Sequence, residues 1–399
     1  LVLGIFKYTN FLVGTVTGFA GIEWKPLAIA LPIGISFYTF KLISYVADVY
    51  MEKYAAEEYY WVMLLYTSVF PQALQGPIER FSDIKAEIYN RETKASDVSE
   101  GIYRFCIGLA KKTVLADHIG ELAATLSPVS EAVSGATTLA VWLGSLCYAM
   151  QLYLDFSAYT DMAIGVGRIF GFHFPENFNY PYAATSVKDF WRRWHITLSS
   201  FFKDYVYIPL GGNRVGLLKT SFNLLVVWIL TGLWHGAGWN FVVWGLLNGI
   251  CILISDELKG LYAVFHKFIP AKNLPFRLYD AFSALRTVLI MSSIRMLDCY
   301  QDVGTAFKAF FSIFRVNNWD RVLVTDLGIN AADYAVIGIG TVVIFLTSMA
   351  SRKIDIRDRI LGKREVLWYP LLALLFITIL IFGVYGIGYD SSQFIYNRF

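Results

Sequence analysis

The sequence predicts an all-α polytopic membrane protein, and three observations carry the prediction. Of its 399 residues, 56% are hydrophobic and only 16% are charged, where a soluble domain averages about 25% charged. The apolar residues fall in repeated runs of about 20, the length a helix needs to cross a bilayer. The basic residues collect between those runs, as the positive-inside rule requires of cytoplasmic loops. The pattern implies roughly nine to eleven transmembrane or re-entrant helices. They form a single domain over 1–399, with further helices expected ahead of Leu1, which is already apolar.

Taken in order, residues 1–22 form a moderately apolar segment and 26–50 an apolar, aromatic one. Pro32, Gly34 and Ser36 predict distortion in the second, which neighbouring helices can absorb. Residues 60–75 end at Pro71 and Gln75-Gly76-Pro77, too short to cross, and suit an interfacial or re-entrant element. Residues 79–112 carry Arg80, Lys85, Arg91, Lys94, Arg104, Lys111 and Lys112 and are expected to be a cytoplasmic loop. A helical hairpin follows, with arms at 113–126 and 137–156 and an outer turn at Ser127–Gly135. Asp155 and Asp161 lie near the end of the second arm, six apart and off a common face. They suit either a proton pathway or pairing with Arg168 or another buried cation. Residues 185–220 are charged and amphipathic: Trp191, Trp194 and Leu198 recur at helical spacing between Lys188, Arg192 and Arg193, as in a helix lying at an interface.

Residues 221–255 are almost uncharged, and both flanks are basic, with Arg214 and Lys219 before and Lys259, Lys267 and Lys272 after. Such a run must enter and return. The natural break is His235-Gly236-Ala237-Gly238, leaving two short arms. Beyond it, 282–299 crosses outward, 300–332 is external and 333–350 crosses back. Arg352 to Arg364 make a cytoplasmic loop, 366–388 crosses outward, and the tail Tyr389–Phe399 lies outside.

The candidate chemistry centres on His195 and His235, each next to a tryptophan. A neutral imidazole can take a proton from a hydroxyl or give one to a leaving group. From residue type alone, each could equally join two helices by a hydrogen bond. No HExxH motif or other metal-ligand spacing occurs, so no metal site is expected. Cys106, Cys147, Cys251 and Cys299 form no CxxC pair and read as small buried residues. Gly165, Gly167 and Gly171 follow no strand, which fails the dinucleotide-binding test, and there is no GxSxG elbow. The basic patches read as topology rather than nucleic-acid binding. Lys188, Arg192 and Arg193 suit either a phosphate-bearing donor or anionic lipid.

Phe190–Ser199, Tyr205–Arg214 and Leu233–Gly236, taken together, resemble the membrane-bound O-acyltransferase family, in its bacterial alginate O-acetyltransferase branch. Leu31–Tyr50, Phe70–Arg80, Leu154–Gly171 and the ending Phe394–Phe399 are similar to further signatures of that branch. The chain departs from the pattern at Asn248, where many relatives carry a second histidine, and at Met291–Arg295, which lacks the expected aromatics. The resemblance implies a helical bundle around a central tunnel in the bacterial cell membrane. It implies transfer of an acetyl group from cytoplasmic acetyl-CoA, as donor substrate rather than bound cofactor, to O-acetylate an extracellular polysaccharide. An extracellular SGNH-type acetyltransferase is the implied partner. His235 takes the catalytic place, with His195 as the second polar position. Trp194, Lys188, Arg192 and Arg193 are expected on the donor side, and Trp234 and Asn240 complete the substrate-binding set. The phenol of Tyr396, the fourth residue from the end, is a candidate acyl carrier. Two other functions stay open: D-alanyl transfer from a carrier protein to teichoic acid, and transport without chemistry. No inverted repeat supports the latter.

Overall fold

The computed structural model describes residues 2–126, 137–258, 264, 276–300, 302–315, 330–351 and 368–385. Among them the chain is helical, and its extended pairing is a single isolated bridge between Phe178 and Trp194. A π-turn at Gly4–Tyr8 leads into α1, Thr9–Phe19. The predicted distortion in 26–50 resolves into an extended lead-in followed by a regular helix, α2, Ile35–Tyr50. The lead-in is held to α1 by Asn10, whose side chain exchanges two 2.9 Å hydrogen bonds with the Leu27 backbone. Gly34 opens α2 at φ +71°, and a Cβ there would sit 1.9 Å from the Ala73 carbonyl oxygen, so glycine is required twice over. Helix α3, Tyr60–Ser68, is nine residues long, about 14 Å, and falls short of a crossing as expected.

Residues 79–112 correct the expectation of a loop. They fold as α4, Phe81–Tyr89, and α5, Ala95–Ala110, which runs through a π-turn at Lys111–Ala116 into α6, Asp117–Leu126. The basic residues there are largely structural. Arg104 pairs with Asp161 at 2.7 Å and with Glu176, and Lys111 reaches Asp161 at 2.5 Å. Lys112 lies between Asp117 at 2.7 Å and Asp155 at 2.8 Å. Asp155 and Asp161 are therefore paired, with Lys112, Arg104 and Lys111 rather than with Arg168, which pairs with Glu100. The helix that carries them is α7, Thr138–Ile169, which packs on α5 and α6 and continues well past the predicted end of the hairpin arm. Glycines set its distance from α5: a Cβ on Gly101 would meet the Gly165 carbonyl oxygen at 2.6 Å, and one on Gly108 the Ala158 carbonyl oxygen at 2.6 Å.

The amphipathic stretch also differs from its prediction. It is two short helices, α8, Val187–Arg193, and α9, Ile196–Phe202, broken at Trp194-His195. Their apolar sides are buried in the aromatic core rather than laid on an interface. Phe190, Trp191 and Trp194 pack there with Phe156, Trp228 and Trp244. The predicted break at 235–238 is present: α10, Leu217–His235, ends there and α11, Trp239–Glu257, begins. Helices α12, Phe276–Tyr300, α13, Val303–Phe311, α14, Ala331–Ser351, and α15, Trp368–Phe382, complete the described chain. Helix α13 lies in the stretch expected to be an external connection, and its small residues Thr305, Ala306 and Ala309 are buried.

Among the described residues, four helices are long and apolar enough to span a membrane: α7, α10, α11 and α14. The remaining segments of the predicted set are shorter or more polar. The hairpin turn 127–135, Lys259, Lys267, Lys272, the basic loop 352–364 and the tail with Tyr396 lie outside the described residues.

Candidate active site

The break between α10 and α11 presents His235. Helix α10 stops there because Gly236 and Gly238 turn fully extended, at φ −164° and −160°. Stopping frees carbonyls in the last turn. Two of them are met from α1's approach: Lys7 Nζ donates to the Trp234 carbonyl, and Tyr8 Oη donates to the Leu233 carbonyl at 2.8 Å. The two arms then pack backbone to backbone. A Cβ on Gly232 would lie 2.2 Å from the Phe241 carbonyl oxygen, and one on Gly245 would lie 2.2 Å from the Trp228 carbonyl oxygen.

The break between α8 and α9 presents His195. This residue has φ +45°, an uncommon left-handed conformation for a side chain of its size. A short ribbon holds it there. Asn179 N donates to the Arg193 carbonyl, and Ile196 N to the Asn177 carbonyl, both at 2.9 Å. The His195 ring is 2% exposed, with Nδ1 3.0 Å from Asn177 Oδ1. Burial holds its proton affinity below that of an ordinary histidine.

One indole separates the two imidazoles. The Trp234 ring centroid lies 5.7 Å from His195 and 5.0 Å from His235. Phe156 closes on His195 at 4.8 Å and Trp244 on His235 at 4.9 Å. Behind them Arg295 stacks on Trp194 at 4.4 Å and pairs with Asp298 at 2.9 Å.

Both histidines line one cavity of about 240 Å³. Its inner wall includes Trp191, Trp194, Phe202, Trp228 and Thr231. Its outer wall includes Lys188, Arg192, Ser199 and Lys203, all exposed. The structure thus joins most of the residues singled out from sequence: His195, His235, Trp194, Lys188 and Arg192 share the cavity. Trp234 lies between the imidazoles behind its wall. Arg193 and Asn240 are placed elsewhere: Arg193 is held by Asp189 at 3.0 Å and by the Asn179 carbonyl, and Asn240 donates to the Leu297 carbonyl at 3.1 Å, tying α11 to α12. Tyr396 lies outside the described residues. Sequence reasoning missed Lys203, although 188, 192, 199 and 203 keep one helical face across the break. It also missed Asn177, which sits in a stretch notable only for its turns. Among the described residues there is no cluster able to hold a metal ion.

The described fold, helical with four helices able to span a membrane, is that of a polytopic membrane protein. The sequence profile of the membrane-bound O-acyltransferase family, MBOAT, matches residues 60–292, and the chain belongs to that family. It is 38% identical over 325 residues to the "Probable alginate O-acetylase AlgI" of Azotobacter vinelandii, covering 80% of this chain and 61% of that protein. It is 37% identical over 298 residues to the "Peptidoglycan O-acetyltransferase" of Helicobacter pylori, covering 67% and 55%. A "Teichoic acid D-alanyltransferase" of Bacillus subtilis is similar at 30% over 231 residues, covering 55% and 57%. The chain therefore spans between half and two thirds of the length of these relatives.

Proposed function

We propose that the protein is a bacterial cell-membrane O-acyltransferase that takes an acetyl group from acetyl-CoA at the cytoplasmic face and passes it across the membrane for O-acetylation of an extracellular polysaccharide. The observation that carries the reading is the cavity, which joins an exposed rim of cations to two buried imidazoles. Lys188, Arg192 and Lys203 suit the phosphates of coenzyme A, and the aromatic wall suits its uncharged arm. A buried, neutral imidazole then serves as base. The acceptor hydroxyl oxygen attacks the thioester carbonyl carbon and the imidazole takes its proton. The C–O bond forms, the C–S bond breaks, and the proton passes to the departing thiolate. His235 is the general base or proton shuttle of this reading, with His195 on the donor side. A hydroxyl carrier between donor and polysaccharide keeps the atoms in balance as well. Tyr396 is the proposed carrier, and an extracellular SGNH-type acetyltransferase is the proposed recipient.

The test is transfer of radiolabelled acetyl from acetyl-CoA by the full chain in lipid nanodiscs, beside a His235→Ala variant. General acid–base groups contribute about 10²–10⁴-fold, and a loss of that order is expected. Full transfer by His235→Ala would remove His235 from the mechanism. Labelled D-alanine supplied on its carrier protein, accepted while acetyl-CoA is refused, would replace the donor with that of the teichoic acid relatives.

A further inference from the structure

The ring of His195 is held by a residue that no catalytic assignment includes. Asn177 is wholly buried, and its Oδ1 faces three groups: His195 Nδ1 at 3.0 Å, Thr197 N at 3.2 Å and Thr197 Oγ1 at 2.9 Å. The orientation of its amide is forced. A backbone N–H can only donate, so the atom facing Thr197 N is the carbonyl oxygen. Thr197 Oγ1 already accepts from Ile78 N at 2.9 Å, which leaves its hydroxyl hydrogen for Asn177. An oxygen so placed accepts from every neighbour, and the imidazole nitrogen facing it must carry a proton. We propose that Asn177 is a positioning residue that locks His195 as the Nδ1–H tautomer, leaving Nε2 as the standing proton acceptor.

Three further observations fit this assignment. Nε2 of His195 is buried and has no hydrogen-bond partner among the described residues. Asn177 Nδ2 is likewise buried without a partner there, so the amide serves through its oxygen alone. A carboxylate would offer the same oxygen without a wasted donor, yet would bring a charge. The groups packed on the His195 ring are uncharged, Asn177, Phe156 on α7 and Trp234 on α10, while His235, Arg295 stacked on Trp194 and the rim cations Lys188, Arg192 and Lys203 share the surroundings. An amide therefore sets the tautomer while keeping the ring neutral, which is the form a base requires.

This inference rests on the acyltransfer reading only for its consequence, since the tautomer can be read without turnover. The experiment is ¹⁵N NMR of the full chain in nanodiscs with ¹⁵N-labelled histidine, His195 assigned by its loss in His195→Gln, alongside Asn177→Ala and Asn177→Asp. The wild type is expected to show a protonated Nδ1 and an unprotonated Nε2 at neutral pH. Asn177→Ala is expected to mix the tautomers. Asn177→Asp is expected to produce the imidazolium and to move the pH at which the His195 ¹⁵N signals titrate upward by about one to three units. A wild-type His195 protonated at Nε2 would overturn the proposal even if both variants failed to fold. So would Asn177→Asp with a wild-type spectrum and pH profile. The expected tautomer in a chain that does not turn over acetyl-CoA would instead count against the acyltransfer reading alone.

Discussion

Replacing Gly232 with alanine tests whether the close approach of α10 and α11 is what places His235. The added Cβ would lie 2.2 Å from the Phe241 carbonyl oxygen, 3.1 Å from its carbon and 3.4 Å from Gly245 Cα. All three atoms are backbone of the opposite helix, so no rotamer change relieves the clash. Reaching an ordinary contact requires the helices to part by about 1 Å, and overpacking of this kind costs about 1–3 kcal/mol. Gly232 is one turn before His235, so the displacement is passed to the imidazole. A misplacement of about 1 Å at a reacting group can cost about 10²-fold in rate. The cationic rim is carried largely by α8, α9 and the turn after them, and donor binding should survive. The expected result is thiol release from acetyl-CoA with kcat reduced about 100-fold, KM within about 3-fold of wild type and a lowered Tm. Gly338→Ala in α14 is the control. Nothing lies within 4 Å of its added Cβ, and wild-type turnover is expected. A folded Gly232→Ala with wild-type kcat would refute the claim that this contact positions the site.

Three replacements at the rim, Lys188→Ala, Arg192→Ala and Lys203→Ala, should each raise KM for acetyl-CoA about 2- to 10-fold at low salt, with smaller effects at high salt and kcat nearly unchanged; Lys188 is expected to matter least, because Asp256 at 3.3 Å already partly neutralises it. An unchanged KM in the triple variant would place the donor elsewhere. If Tyr396 carries the acyl group, mass spectrometry of the chain quenched during turnover should find an acetyl adduct on it, and Tyr396→Phe should stop delivery to the polysaccharide while leaving the donor half-reaction intact. An active Tyr396→Phe without an adduct removes the carrier.

The all-helical fold was legible because apolar run length is a local property. The break at 235–238 was legible for a similar reason: two glycines close together between two apolar arms, with basic residues on both flanks, admit few other readings. The misreading of 79–112 has a definite cause. Lysine and arginine look alike in sequence whether they face water or a buried carboxylate, and the carboxylates concerned, Asp155 and Asp161, lie 43 to 57 residues away on α7. Counting charges could not tell a cytoplasmic loop from helices stitched to a neighbour. The stretch 185–220 failed differently. Its periodicity is real, since 188, 192, 199 and 203 do share one side, but the turn between α8 and α9 depends on Asn177, whose pairing with His195 and Thr197 has no local signature.

That failure bears on how the site works. Had 187–207 been one continuous interfacial helix, His195 would have faced lipid or water and titrated as an ordinary imidazole. The left-handed step at His195 instead turns its ring into the aromatic core, against Phe156 and Trp234, while the cations before and after it stay at the surface. A break at the end of α10 does the same for His235. Each histidine thus sits where a helix stops, and the two stops meet across a single indole. Helical interiors hold their side chains against neighbouring turns, whereas a terminus can aim a ring away from its own helix. The polarity of the cavity, cations outside and imidazoles within, follows from where the two helices end rather than from any change in composition along them.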